Sequence, residues 1–324
     1  MSQILGRKPV RAAAAAALCA IITAGAYAMG GAPSTSSTPS NGGFTQTRYP
    51  IVLAHGLFGF DSIGPIDYFY SVPSALRRDG AVVYTTKVSA ANTSEVRGEQ
   101  LLSEIRRLRA AHGHQKFHLI GHSHGGQSVR YVAAVAPELV ASVLTVGSPA
   151  QGSAVADTVQ RAVDGTGTTA VVAGAVNVLG RLIDALGGGV RTPQNSEGAM
   201  RSLTTAGATD FNRRFPQGAP SSPCGSGAAM VNGVRYYSAS GTGVVTHLFD
   251  PDSVLGVTSL MFGGRANDGL VERCSSRWGV VLRDDYPWNH MDQVNQTFGM
   301  RGWGTPDPVA FYRSHANRLK LLGL

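Results

Sequence analysis

Several features are scarce or missing in this sequence of 324 residues. It has no DNA- or RNA-binding signature, so nucleic acid is not a predicted partner. Its basic side chains are scattered except for Arg106, Arg107 and Arg109, which we interpret as a solvated helix face. No internal repeat is present, and no linker divides the chain after residue 43. One folded domain is therefore predicted, at residues 46–324.

The N-terminal apolar run is too short to span a membrane comfortably. It covers residues 12–24, whereas a spanning helix needs about 20 residues. The basic segment 7–11 precedes it, and the tripeptide 26–28 has the small-x-small pattern of a cleavage site. Residues 1–28 are therefore predicted to be a signal peptide, so that the mature protein is secreted without a transmembrane segment; a retained anchor is the alternative. Residues 29–45, rich in Gly, Ser, Thr and Pro, are predicted to form a flexible tether.

Cysteine is also scarce, with three residues in the chain. Cys19 leaves with the signal peptide, and Cys224 and Cys274 remain in a chain bound for an oxidising compartment, where disulfides persist. We predict that these two pair, with two buried free thiols as the alternative. Closing a loop of this length would stabilise the fold by about 4 kcal/mol in the chain-entropy model.

The residues that are present predict an α/β protein. Hydrophobic residues make up 43% of the chain, which is enough for one large core. From Tyr49 onward, short apolar runs typical of buried strands alternate with stretches of helical spacing. This alternation predicts a mainly parallel sheet covered by helices on both faces. The predicted strands are 51–54, 82–84, 117–120, 143–146 and 280–282, and the predicted helices include 124–136 and 311–322.

A capped helix is predicted after the second strand. Asn92 is expected to cap it, with Glu95 three residues later completing a capping box. Its apolar positions recur at helical spacing and are Leu101, Leu102, Ile105 and Leu108.

The segment Gly121-His122-Ser123-His124-Gly125 lies between a predicted strand and a predicted helix. It fits G-x-S-x-G, the nucleophile elbow, in which a serine sits at a sharp and strained turn. Glycine on either side keeps such a turn free of clashes, and the following helix directs its N–H groups at developing negative charge. We therefore predict Ser123 as a nucleophile.

A nucleophilic serine needs a base within reach, and that base needs an acid to hold it. The rings of His122 and His124 diverge from Ser123 at a tight turn, so neither is the predicted base. Elbow enzymes follow the chain order Ser, acid, His, which leaves three downstream histidines. They are His247, His290 and His315.

Among these histidines, the surroundings favour His290. It lies in a loop after an apolar strand, whereas His315 lies in a predicted helix and His247 precedes the strong acid candidates nearby. Asn267-Asp268-Gly269 is a turn signal that is predicted to expose Asp268 at a loop tip. From the residues alone we favour Ser123, Asp268 and His290, with other combinations left open.

Several segments also carry a resemblance to a known family. They are residues 49–56, 121–126, 232–238, 267–271, 289–292 and 316–320. From about residue 46 to the C-terminus, the chain resembles the secreted true lipases of Pseudomonas and Burkholderia. The resemblance implies an α/β-hydrolase fold and cleavage of triacylglycerols, with Ser123, Asp268 and His290 as nucleophile, acid and base. The oxyanion donors are expected to be the amide of His124, the residue after the nucleophile, and that of Leu57, where the resemblance places the second donor.

The resemblance further implies one structural Ca²⁺ ion. Its expected ligands are the carboxylates of Asp250 and Asp292 and the backbone carbonyls of Gln296 and Met300, with Asp252 as a nearby rival for Asp250. Ligation by oxygen alone suits a hard cation. Because Asp292 lies two residues after His290, the ion would hold the loop that carries the base.

A lid is implied at about residues 160–190. Its apolar stripe consists of Val172, Val176, Leu179, Ile183 and Leu186, followed by glycines at 187–189 that supply a hinge. A core helix is the alternative interpretation.

Taken together, these features predict a secreted triacylglycerol lipase that acts at a lipid–water interface through a Ser-His-Asp acyl-enzyme mechanism. A membrane-anchored foldase chaperone is an implied partner. The alternatives are a carboxylesterase or polyester hydrolase on the same triad, and a lipid-binding module without catalysis.

Overall fold

Seven strands form the central sheet of the computed structural model, which describes residues 43–57, 59, 62–63, 66–165, 194–247 and 251–324. In chain order the strands are Ile51–Ala54 (β1), Ser62–Ile63 (β2), Ile66–Asp67 (β3), Val83–Thr86 (β4), Phe117–His122 (β5), Val140–Val146 (β6), Met230–Val231 (β7), Val234–Gly241 (β8) and Val280–Tyr286 (β9). The order in the sheet is β4-β1-β5-β6-β8-β7, and β9 pairs with β8. All of these pairings are parallel except that of β7 with β8, so the predicted mainly parallel sheet is confirmed. β2 and β3 form a separate antiparallel pair.

Helices cover both faces of this sheet. In the described part of the chain they are Val72–Arg78 (α1), Ser94–His112 (α2), Gly125–Val135 (α3), Ala154–Val163 (α4), Ser196–Leu203 (α5), Thr205–Arg214 (α6), Leu255–Ser259 (α7) and Pro308–Leu321 (α8). Alternate residues of β1 enter two cores: Ile51 and Leu53 pack with α1 and α8, whereas Val52 and Ala54 pack with α2 and α3. Burial on both faces explains why the parallel strands are apolar throughout.

The helix α2 begins one residue later than predicted. Thr93 is its N-cap, with an extended backbone (ψ of 157°) and a hydroxyl that accepts from the Val96 N–H at 3.3 Å. The predicted capping box of Asn92 and Glu95 is therefore wrong, because the Asn92 side chain accepts from the Thr93 N–H instead, at 2.9 Å. The predicted apolar face of α2 is buried, and its three clustered arginines are exposed.

Other boundaries differ from the prediction by a few residues. The strand predicted from 82 begins at Val83, and Val82 is exposed. The last helix begins at Pro308, where the Asp307 side chain accepts from the Val309 N–H at 3.0 Å. Cys224 and Cys274 form the predicted disulfide across 50 residues. None of the described helices is long and apolar enough to cross a bilayer, and the predicted signal peptide lies outside the described residues.

Candidate active site

Ser123 lies at the turn between β5 and α3. Its backbone φ of +53° is left-handed, a conformation that residues other than glycine rarely adopt. A Cβ at Gly121 would lie 2.3 Å from the Gly125 carbonyl oxygen, and a Cβ at Gly125 would lie 2.3 Å from that of Ala54. Both positions therefore require glycine, and the strand–turn–helix elbow expected from G-x-S-x-G is present.

Asp268 and His290 form a buried pair. His290 Nδ1 lies 2.8 Å from Asp268 Oδ2, and the His290 N–H donates to the Asp268 carbonyl at 2.8 Å. The N–H groups of Leu270 and Val271 donate to Oδ1 at 3.0 and 2.7 Å, and Gln293 Nε2 donates to Oδ2 at 2.6 Å. The predicted exposure of Asp268 is wrong, since its exposed fraction is 0%. The turn that it begins folds its own N–H groups back onto the carboxylate and so satisfies that group inside the protein.

Ser123 and His290 line the same pocket. The walls are otherwise mostly apolar and comprise Leu57, Tyr68, Pro149, Ser153, Val155, Ala156, Met200, Leu203, Leu270, Val271 and Met291. Among the described residues the Ser123 hydroxyl has no hydrogen bond to His290; such contacts are often long in enzymes without substrate. The pocket therefore brings a serine hydroxyl and an imidazole together between mostly apolar walls.

The two histidines beside Ser123 are buried and neutral. Burial lowers the pKa of each ring well below its usual value. His124 Nε2 lies 3.0 Å from the Ser94 hydroxyl, and His122 Nε2 lies 3.0 Å from the carbonyl oxygen of His290. Within the described chain neither ring hydrogen-bonds the Ser123 hydroxyl, in agreement with the prediction.

The amides of Leu57 and His124 are available to an incoming oxyanion, because neither N–H donates to another described residue. Arg97 binds the loop that carries Leu57. The Arg97 Nη2 group donates to the carbonyls of His55 and Gly56 at 2.7 and 3.0 Å. Desolvation lowers the pKa of this buried guanidinium to about 10, which leaves it charged at neutral pH.

Reasoning from the sequence missed Arg97. Its Nη1 also donates to the carbonyls of Ser89 and Ala90, so one side chain gathers four backbone oxygens. The sequence does place Arg97 four residues before Leu101, on the apolar face of α2. An arginine is unusual on such a face, and this position could have indicated a buried role.

The family described as the α/β hydrolase fold matches residues 49–292, a range that contains the elbow serine and the buried pair. The chain belongs to the α/β-hydrolase family. A triacylglycerol lipase of Vibrio cholerae is 51% identical over 287 residues, covering 88% of this chain and 92% of that protein. One of Pseudomonas fragi is 45% identical over 290 residues, covering 86% of this chain and 98% of that protein.

Among solved structures, the mature lipase BlEst2 of Bacillus licheniformis shares the α/β-hydrolase fold with a TM-score of 0.54 and 22% identity, covering 81% of this chain and 91% of that chain. The two lipase relatives confirm the resemblance to bacterial lipases and the prediction of an enzyme of that class.

The residues predicted to bind calcium are partly described in this α/β-hydrolase. The described ones are Asp292, Gln296 and Met300, whereas Asp250 lies outside the described residues. Asp292 is 1% exposed, and its Oδ2 accepts from the Asn289 N–H at 3.1 Å. The Gln296 side chain donates to the Asp67 carbonyl at 3.0 Å, and its backbone oxygen accepts from the Gly299 N–H at 3.2 Å.

A buried carboxylate and backbone oxygens on one loop form a donor set that fits a hard cation. Asp252, the rival for Asp250, is buried as well, at 3% exposure. The described residues contain no group of three or more His, Cys, Asp or Glu side chains that could hold a metal, and the predicted site needs only two carboxylates.

The predicted lid of this α/β-hydrolase lies largely outside the described residues, because residues 166–193 are not among them. The flanking helices α4 and α5 are described, and both contribute side chains to the pocket wall.

Proposed function

We propose that this α/β-hydrolase is a secreted triacylglycerol lipase that cleaves long-chain acyl esters through an acyl-enzyme on Ser123. The observation that carries the proposal is the buried Asp268–His290 pair, joined at 2.8 Å, in the same pocket as an elbow serine. The two relatives named triacylglycerol lipase, at 51% and 45% identity, support the substrate class. A carboxylesterase or polyester hydrolase on the same residues is the rival, and acyl-chain length distinguishes the two.

In the proposed reaction, His290 Nε2 takes the Ser123 hydroxyl proton as Oγ attacks the ester carbonyl. Asp268 accepts from the Nδ1–H, which keeps the free lone pair on Nε2 and stabilises the imidazolium. The imidazolium passes its proton to the leaving glycerol oxygen as the C–O bond breaks, and acyl-Ser123 remains. Water that loses a proton to His290 then attacks the acyl group, and His290 returns that proton to Ser123 Oγ as the bond to the acyl carbon breaks, which releases the fatty acid and restores the serine.

The oxyanion of each tetrahedral intermediate is assigned to the N–H groups of Leu57 and His124. Losing one such donor typically raises the barrier by about 3 kcal/mol. The helix α3 begins at Gly125, directly after His124, and the positive end of its dipole faces the same point.

The proposal includes a structural Ca²⁺ ion. The carboxylates of Asp250 and Asp292 and the carbonyls of Gln296 and Met300 would hold it. The ion would link Asp250 to the loop that carries His290, and it would take no part in bond making. The buried position of Asp292 beside this loop supports the assignment.

The proposal also includes export through the signal peptide at 1–28, a lid at about 160–190 that opens at a lipid–water interface, and a foldase chaperone as partner. These elements rest on the sequence patterns and on the resemblance to bacterial lipases.

Replacing Ser123 with alanine tests the proposed function. The Ser123→Ala variant should lose all but a trace of hydrolysis while keeping the circular dichroism of the wild type. Diisopropyl fluorophosphate should label the wild type once and leave the variant unlabelled. Substantial activity in clean Ser123→Ala protein would contradict the nucleophile.

Acyl length separates lipase from esterase. Initial rates on emulsified triacylglycerols of increasing acyl length should stay high with long chains, because the pocket wall is apolar. Activity confined to short, dissolved esters would favour the carboxylesterase.

A further inference from the structure

Tyr68 and His122 have no role in the reaction described above, yet they lie between the base His290 and the loop that carries the proposed oxyanion donor. Both are buried, with exposed fractions of 3% and 0%. The Tyr68 hydroxyl lies 2.7 Å from His122 Nδ1, and His122 Nε2 lies 3.0 Å from the carbonyl oxygen of His290. At the other end, the Tyr68 hydroxyl lies against the backbone of Gly56, where an added Cβ would be 2.6 Å from it. Two hydrogen bonds therefore run from Tyr68 to His290, and Tyr68 contacts Gly56.

The direction of each bond follows from the chemistry of its partners. The His290 carbonyl can only accept, so His122 Nε2 carries a proton and donates it. Burial lowers the pKa of His122 well below its usual value, and the nearby His290 lowers it further, so the ring is neutral and Nδ1 accepts. The Tyr68 hydroxyl therefore donates to Nδ1. Burial also raises the pKa of Tyr68, which keeps this hydroxyl protonated.

At the base end, the bond from His122 completes the support of His290. The His290 N–H donates to the Asp268 carbonyl, and Nδ1 pairs with the Asp268 carboxylate, both at 2.8 Å. The His122 bond holds the third group, the carbonyl. Nε2 is the remaining polar atom of His290, and it is the atom that the reaction requires opposite Ser123.

At the oxyanion end, Gly56 directly precedes Leu57, whose amide is the proposed donor. A Cβ at Gly56 would lie 2.6 Å from the Tyr68 hydroxyl and 2.8 Å from Ser123 Cβ. The loop, the tyrosine and the nucleophile are thus in direct contact. Tyr68 lines the pocket and contacts this loop there, and Arg97 binds the loop's carbonyls.

We propose that Tyr68 and His122 are positioning residues whose hydrogen-bonded relay fixes the His290 backbone and the Gly56–Leu57 loop around Ser123. The proposal rests on the proposed Ser123 reaction. The transition state needs the base and the oxyanion amide in place together, so loosening the relay should lower kcat more than it changes KM. Neither residue exchanges a proton with the substrate.

Two amide variants of His122 separate the halves of the relay. His122→Gln can keep a donor toward the His290 carbonyl, whereas His122→Asn keeps only an acceptor near the position of Nδ1. On a dissolved short-chain ester we expect kcat to fall about 100-fold in His122→Asn and by no more than about tenfold in His122→Gln, because a displacement of about 1 Å is enough for such a loss. We expect KM to change by less than about twofold in both. Equal losses of kcat in the two variants would overturn the relay.

Tyr68→Phe removes the hydroxyl and keeps the ring. Alone it should lower kcat about tenfold, and in the His122→Asn background it should lower kcat little further, because the path to His290 is already broken. Wild-type kcat in Tyr68→Phe, or fully additive losses in the double variant, would show that the two residues act separately.

His118→Gln is the matched control. His118 lies four residues earlier on β5, toward the end of the strand away from the site, is also buried, and pairs through Nδ1 with Ser142 Oγ at 2.8 Å. This variant should keep wild-type kcat, and a loss equal to that of His122→Asn would show that any lost histidine bond slows the enzyme.

Ser123→Ala in the same assay keeps the two proposals distinct. Activity in Ser123→Ala would overturn the proposed function itself. An inactive Ser123→Ala beside a fully active Tyr68→Phe would overturn the relay alone. Melting temperatures of all variants establish that each is folded at the assay temperature.

Discussion

At the scale of single residues, Arg97 carries a buried charge without a carboxylate among its hydrogen-bond partners. Its donors meet the carbonyls of Ser89, Ala90, His55 and Gly56. Backbone dipoles take the place of a counter-ion, and one side chain supplies donors to four carbonyls. The Gly56 carbonyl also accepts from the Gly59 N–H at 3.2 Å. Arg97 therefore shapes the loop on which the oxyanion amide lies.

Arg97→Met tests this role. The variant should lower the free energy of unfolding by about 3 kcal/mol, because buried carbonyls lose their donors, and it should lower kcat as the Leu57 amide shifts. Urea unfolding and kcat on a dissolved ester measure the two effects. Arg107→Met is the matched control on the same helix, where the side chain is 67% exposed, and it should change stability by less than about 0.5 kcal/mol. A folded Arg97→Met with wild-type kcat would contradict the role at the oxyanion loop.

At the scale of elements, the interface between α8 and the sheet contains two buried histidines. His118 on β5 and His315 on α8 are 0% and 1% exposed. Burial lowers the pKa of each to about 3, and nearby Arg318 contributes at His315. The His315 ring meets that of Tyr237 on β8 at 5.3 Å, edge to face. Both rings are therefore neutral in the folded protein.

This packing predicts a loss of stability in acid. An unfolded histidine has a pKa of about 6.5, so the unfolded chain binds more protons than the folded one between about pH 3 and that value. The stability from the neutral rings is complete above about pH 6.5 and is lost as the pH falls through this window. Replacing His315 with Phe should remove about 1.4 kcal/mol per pH unit from the slope of unfolding free energy against pH.

Urea unfolding at about pH 4.5 and about pH 5.5 measures that slope, because both values lie inside the window. Leu319→Ala, which truncates a buried side chain on the same helix, is the control; it should lower stability equally at both pH values. A slope in His315→Phe equal to that of the wild type would contradict the prediction.

At the scale of the whole molecule, the loop after His290 joins parts of the chain that are far apart in sequence. Gln296 donates to the Asp67 carbonyl, 229 residues away, and Asn295 donates to the Tyr70 carbonyl at 3.1 Å. The Tyr312 hydroxyl on α8 donates to the Gln293 carbonyl at 2.9 Å. A cation on this loop would therefore stabilise contacts across the domain as well as the base.

The calcium proposal predicts a global effect on stability. Excess EDTA should lower the melting temperature, inactivation should follow unfolding, and Ca²⁺ should restore both more effectively than Mg²⁺, which demands a stricter geometry. Asp292→Asn should abolish the response to EDTA. The exposed carboxylate of Asp285, 52% accessible, supplies the control variant Asp285→Asn, which should respond as the wild type does. An identical melting curve with and without EDTA, in protein that contains no calcium, would exclude the site.

The sequence alone determined the features that arise from local patterns. Alternating apolar runs and helical spacing predicted the parallel sheet and its helices, since burial on both faces leaves an apolar signature in each strand. The elbow around Ser123 could be predicted because G-x-S-x-G is a local pattern; Gly121 is needed within the turn, whereas Gly125 is needed because the Ala54 carbonyl lies close by. The pairing of Cys224 with Cys274 followed from there being two cysteines outside the predicted signal peptide.

Only the tertiary structure decided where buried polar groups find their partners. His122 meets the His290 carbonyl across 168 residues, and Arg97 meets the His55 carbonyl across 42. The burial of Asp268 depends likewise on Gln293, 25 residues further on. Sequence spacing does not predict such hydrogen-bonded pairs, because a hydrogen bond needs its two atoms placed to within a few tenths of an ångström. The same sensitivity moved the cap of α2 from Asn92 to Thr93, since the first free N–H group depends on where the folded chain turns.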